Sequence, residues 1–107
     1  MSSMSQAKGC QWERDVADLA RAHGFSQARR TFFQPGATGA DISGVPGLAI
    51  EAKRAERVSL QAWWKQAQDA AGPGEMPCVA LRWSRGPALG VIPLDELFAL
   101  WAARTFT

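Results

Sequence analysis

Polar and apolar residues alternate along this chain with periods that change from helical to extended and back. Trp12, Val16, Leu19 and His23 follow the i, i+4, i+7, i+11 spacing of one helical face, and Gly24 stands where a left-handed cap belongs. This spacing predicts a helix over 7–23. Gln27 to Phe33 carries β-forming Thr31-Phe32-Phe33 ahead of Pro35-Gly36 and reads as a strand entering the Gly-rich loop QPGATGAD. A short strand is expected over 40–43, closed by the turn Gly44-Val45-Pro46-Gly47. Leu48 to Lys53 then alternates strictly, with Leu48, Ile50 and Ala52 on the face turned to the core and Ala49, Glu51 and Lys53 on the other.

Ser59 is placed to cap a helix running to Ala71, whose stripe is Leu60, Trp63, Trp64 and Ala67, and Gly72-Pro73-Gly74 stops it. Met76–Trp83 and Ala88–Ile92 read as a hairpin around Ser84-Arg85-Gly86-Pro87. Pro93 opens a last helix with Asp95 and Glu96 in its first turn, a stripe of Leu94, Leu97, Phe98 and Trp101, and Arg104 at its end. The order α-β-β-β-α-β-β-α describes an α/β fold. The 107 residues suit a single domain over 1–107 with residues 1–5 disordered.

Composition narrows the chemistry. Twelve Lys and Arg against ten Asp and Glu leave a net charge of +2, divided evenly between the two halves, so a nucleic-acid patch has to be local. There is no Tyr, which excludes a tyrosyl intermediate, and a single His, His23, which excludes a His-rich metal centre. Cys10 and Cys78 have no CxxC spacing, so a zinc site or a disulfide framework is not expected and a reducing, cytoplasmic setting is. No apolar run is long enough to span a membrane, and the polar start MSSMSQAKGCQWERD does not read as a signal peptide.

What remains is chemistry by carboxylate, Lys or Arg. The turn at 44–47 makes the strands of Asp41 and Glu51 antiparallel neighbours and brings both acids onto one surface patch. Two carboxylates held close repel unless a cation lies between them, and a hard divalent ion such as Mg²⁺ suits oxygen ligands. Lys53 shares the face of Glu51 and would orient a water or offset charge on a phosphate. Glu13 and Gln66 lie on the flanks of their helical stripes, Glu13 within reach of the sheet edge as a third carboxylate. Arg29, Arg30, Arg54 and Arg57 surround the patch in sequence and would take DNA phosphates.

These residues resemble a family. Glu13 in a helix, Asp41 after a Gly-rich turn, Glu51-Ala52-Lys53 on a strand and Gln66 in the next helix are similar to the E…D…ExK…Q pattern of the PD-(D/E)xK nuclease superfamily. The likeness covers about residues 8 to 92. It is nearest to archaeal-type Holliday junction resolvases and related phage nucleases, to which KGCQWERDVADLARAHGF contributes as much as the ExK triplet. Ala40 stands where the superfamily's name has Pro. The resemblance implies a restriction-endonuclease-like mixed sheet flanked by helices, one or two Mg²⁺ ions (Mn²⁺ substituting), and hydrolysis of DNA phosphodiesters. It implies Asp41, Glu51 and the Ala52 carbonyl as metal ligands with Glu13 completing the acidic shell. Lys53 would act on the nucleophilic water, Gln66 would position Lys53 or the DNA backbone, and a homodimer would face a branched DNA.

Plainer readings stand beside these. Glu-x-Lys on a solvated strand is common, Glu13 and Gln66 are ordinary helix-surface residue types, and Arg54 and Arg57 form a charge run with Glu56. Trp12, Trp63 and Trp101 fit core stripes better than base-stacking platforms, whereas Trp64 and Trp83 suit an oligomer surface. Two alternatives to a junction resolvase stay open: a nuclease of restriction or replication-repair type acting on linear or flapped DNA, and a catalytically silent DNA-binding module of the same fold.

Overall fold

The computed structural model describes residues 3–31 and 39–104, with side chains from residue 7 onward. The elements are α1 (Ser3–Ala22), β1 (Arg29–Arg30), β2 (Ile42–Ser43), β3 (Leu48–Arg54), α2 (Leu60–Ala70), β4 (Met76–Arg82), β5 (Leu89–Val91) and α3 (Leu94–Ala103). This is the expected order. The expected strand at Phe32-Phe33, most of the Gly-rich loop and the N-terminal disorder over 1–5 fall on residues outside those described or lacking described side chains. Helix α1 begins at Ser3 rather than at residue 7. Its far end closes as the sequence implies: Gly24 has φ +99° and the Phe25 N–H donates to the Ala20 carbonyl at 3.1 Å.

The five strands form one mixed sheet in the order β1-β2-β3-β4-β5. Neighbours run antiparallel except β3 and β4, which are parallel over the whole of Leu48–Arg54 against Met76–Arg82. A parallel neighbour needs a crossover, and α2 supplies it. Helices therefore cover both faces of the central strands. On one face Trp12, Val16 and Ala17 of α1 pack on Ile42, Val45, Ile50 and Cys78; on the other Trp63 and Ala67 of α2 pack on Val79 and Leu81. The indole N–H of Trp12 donates to the Ala80 carbonyl at 3.0 Å and fastens α1 to β4.

Covering both faces changes several expectations. Alternation along β3 implies one buried face and one surface face, but Ala49, Ile50 and Glu51 are all buried. Leu19 and Leu60, assigned to buried stripes, are exposed. The Ser59 hydroxyl makes no capping bond; only its main-chain carbonyl serves the helix, accepting from Trp63 N at 3.0 Å. The largest departure is α3, where no residue is buried and the stripe read as core, Leu94, Leu97, Phe98 and Trp101, is 45% to 62% exposed. Trp101 instead lies under the Arg104 guanidinium, 4.5 Å from the ring centre. Trp64 and Trp83 are half-buried against the α2-side core. Both cysteines are free thiols, and burial pushes the Cys78 thiol up. Among the described residues no helix is long and apolar enough to cross a membrane.

Candidate functional site

The site begins with a hairpin. Gly44 has φ +91°, and a side-chain carbon there would overlap the Gln27 carbonyl, so the turn after β2 has to be glycine for both conformation and space. Beyond it, Ile42 pairs with Ile50, and the Asp41 N–H donates to the Ile50 carbonyl at 2.9 Å. Asp41 thus comes to lie beside the middle of β3. Its Oδ2 accepts the Ala52 N–H at 2.9 Å, so a side chain rather than a strand satisfies that main-chain donor.

Glu51 is the one buried charged residue type among the described residues, at 7% exposure. Its carboxyl is pushed up to about 7, first by burial and then by the negative charge of Asp41, to which it also hydrogen-bonds; the Lys53 ammonium pulls in the opposite direction. Glu13 adds a smaller push of the same sign as Asp41. The structure therefore brings Asp41 and Lys53 each into electrostatic contact with Glu51, with a weaker contribution from Glu13. A buried acid beside a second acid costs free energy, and a cation or a proton would relieve it.

Glu13 is engaged elsewhere. Its Oε1 accepts from Arg30 Nε at 2.9 Å, and both side chains are about one-quarter exposed. Arg30 reaches Cys10 Sγ as well, at 3.4 Å. Among the described residues no three His, Cys, Asp or Glu side chains assemble into a metal-binding group. The donor set nevertheless fits a hard divalent ion: two carboxylates, one of them buried, and a main-chain carbonyl at Ala52, with water for the remaining positions. Gln66 is exposed on α2, and among the described residues no hydrogen bond joins it to Lys53.

The basic residues divide. Arg29 and Arg30 line a groove of about 490 Å³ together with Arg14 and Arg21 of α1. The seven-residue spacing of Arg14 and Arg21, which puts them on one helical face, was the signal that would have added them. Arg21 is braced by Asp18 and the Ala28 carbonyl. Arg54 is half-buried with Glu56 at 3.7 Å, and Arg57 is exposed in the connection to α2. The chain has no match among protein-family models, curated proteins or solved structures.

Proposed function

We propose that this protein is a metal-dependent DNA endonuclease of the PD-(D/E)xK type, with a restriction-endonuclease-like fold. The carrying observation is the buried Glu51 held against Asp41 with Lys53 close by, an arrangement that is costly without a cation and chemically apt with one. Asp41, Glu51 and the Ala52 carbonyl would hold Mg²⁺ or Mn²⁺, which when bound would supply a Lewis acid and an acidified water. Lys53 would hold the nucleophilic water by hydrogen bonding and offset charge developing on the phosphate. Glu13 orients Arg30 and adds negative potential to the acidic pair. Gln66, on the exposed side of α2, is assigned to the DNA backbone rather than to Lys53. Arg29, Arg30, Arg54 and Arg57 would take flanking phosphates. A cytoplasmic location belongs to the same reading.

A homodimer acting on branched DNA completes the proposal, supported by α3. Leu94, Leu97, Phe98, Leu100 and Trp101 are each about half exposed. At roughly 100 Å² of exposed surface apiece they offer about 500 Å² per protomer, and about 1,000 Å² for two copies, the threshold for a specific interface. The helix is self-complementary in charge, with Asp95 and Glu96 at its start and Arg104 at its end, so two copies packed antiparallel about a two-fold axis would match opposite charges. Two acidic sites related by such an axis suit a four-way junction.

The test is cleavage of labelled four-way junction, flap and linear duplex in Mg²⁺, comparing wild type with Asp41→Asn, Glu51→Gln and Lys53→Ala. Cutting by the wild type and its loss in all three variants is the expected result. Failure of wild type to cut any of them, or unimpaired variants, overturns the nuclease. Preference for linear duplex keeps the chemistry and overturns the junction substrate.

A further inference from the structure

Three cationic side chains from three elements converge at the end of the parallel strand pair. Lys8 of α1, Arg54 of β3 and Arg82 of β4 line one cavity of about 260 Å³, whose wall is completed by Gln11, Trp12 and Asp15. Arg54 and Arg82 are register partners on neighbouring strands, about 4.8 Å apart, and both are half-buried. Guanidinium groups held side by side repel each other. Their counter-charges are weak. Arg54 has Glu56 at 3.7 Å, a carboxylate that is 68% exposed, and Arg82 gives its Nε to a neutral partner, the Gly86 carbonyl, at 3.1 Å. Among the described residues neither Lys8 nor Arg82 has an ion-pair partner. Asp15, the one acid in the wall, accepts from Gln11 Nε2 at 2.9 Å.

The lining is also held in place. The Trp12 indole is tied to the Ala80 carbonyl, two residues before Arg82, so α1 and β4 cannot separate without breaking that bond. Donors fixed by the fold around an excess of positive charge bind an anion without having to be gathered first, and the planar fork of arginine matches a phosphate.

We infer that the Lys8–Arg54–Arg82 cavity is a phosphate-binding site that takes one backbone phosphate of DNA; that the phosphate belongs to DNA rests on the nuclease reading above. Arg54 lies three residues beyond Glu51 on β3, an odd step that turns its side chain to the α1 face of the sheet while Glu51 shares the α2 face with its register partner Val79. The phosphate held here therefore lies on the other side of the sheet from the acidic pair. Its role is to anchor the duplex at a point apart from the phosphate being cut.

The test measures binding without cleavage. Affinity for a short fluorescein-labelled duplex is followed by anisotropy in EDTA between about 50 and 200 mM potassium chloride. Lys8→Gln and Arg82→Gln are each expected to flatten the slope of log K against log salt by about one and to weaken binding severalfold at the lower salt. Arg82→Lys should keep the slope, and Lys65→Gln, on the outer side of α2, should change nothing. The exposed Lys8 carries the test if Arg82→Gln disturbs folding. Slopes parallel to wild type for Lys8→Gln and Arg82→Gln overturn the site. So does stabilisation of the wild type by inorganic phosphate, at matched ionic strength, that disappears in Arg82→Gln while the duplex slope stays unchanged, since the site would then serve a free anion. Cleavage in Mg²⁺ is scored separately. Cutting with unchanged slopes overturns the site and leaves the nuclease standing; flattened slopes without cutting support the site and remove the nuclease.

Discussion

The Asp41 carboxylate accepts the main-chain N–H of Ala52 while the Asp41 N–H donates to the Ile50 carbonyl, and these two bonds set how close Asp41 comes to the strand that carries Glu51. The spacing of the acidic pair is thereby written into the backbone. Asp41→Asn keeps an acceptor for that N–H and should fold like the wild type. Asp41→Ala leaves it unpaired and should cost about 1–2 kcal/mol in urea unfolding. Both variants should lose cleavage, by about a hundredfold or more.

Stability without metal should fall as pH rises. The Glu51 carboxyl titrates near 7 in the folded protein against about 4.5 in the unfolded chain. Between these values the folded state holds a proton that the unfolded state has released, so unfolding becomes easier with increasing pH and the loss is complete above about 7. The shift corresponds to about 3 kcal/mol. Glu51→Gln should therefore be more stable than wild type at pH 8 in EDTA and similar to it at pH 4, as read from urea midpoints. Added Mg²⁺ should stabilise the wild type at pH 8 and leave Glu51→Gln much less affected.

Gly44 should tolerate no side chain. Gly44→Ala places a carbon onto the Gln27 carbonyl and strains a left-handed residue, and is expected to cost about 3 kcal/mol or more, measured by thermal unfolding. Because the same turn aligns Asp41 with β3, folded Gly44→Ala should also show weakened cleavage.

Trp12 carries both packing and a polar anchor. Trp12→Phe removes the bond to the Ala80 carbonyl while keeping an aromatic ring, and should cost about 1–3 kcal/mol; Trp12→Ala should cost about 3–5 kcal/mol. Urea unfolding of the two variants separates these contributions.

Charge placed on α3 should separate the copies. Leu97→Asp and Phe98→Asp introduce a carboxylate at positions that are 45% and 62% exposed in a single chain, so neither should disturb the fold. Sedimentation should give a dimer for wild type and a monomer for both variants. A monomeric wild type removes the homodimer.

The arrangement of elements was legible because each uses a strong local pattern: the alternation of Leu48–Lys53, the helical stripe of Trp63 and Ala67, the Gly24 cap. The pairing of β2 with β3 followed from the short turn between them. What the pattern left open depends on contacts distant in the chain. Alternation assigns Glu51 a face of β3 but is silent on whether α2 covers that face, and burial is what shifts its titration. The stripe on α3 has the spacing of a core helix, yet spacing records only that one side is apolar and not what lies against it. Glu13 and Arg30 meet across 17 residues, and Lys8 and Arg82 line one cavity from opposite ends of the chain. No local signal encodes either meeting.

The bond from Trp12 to Ala80 spans 68 residues, which carries a consequence for synthesis on the ribosome. Until Ala80 has emerged, α1 has made no such anchor, and until β4 docks, β3 lacks its parallel neighbour. The short hairpin holding Asp41 and Glu51 can form early because its ends are close in sequence, but the enclosure that raises the Glu51 titration has to wait for α2 and β4. A nascent chain would thus carry Glu51 in water, at ordinary acidity, and acquire its tension with Asp41 only once the sheet is built.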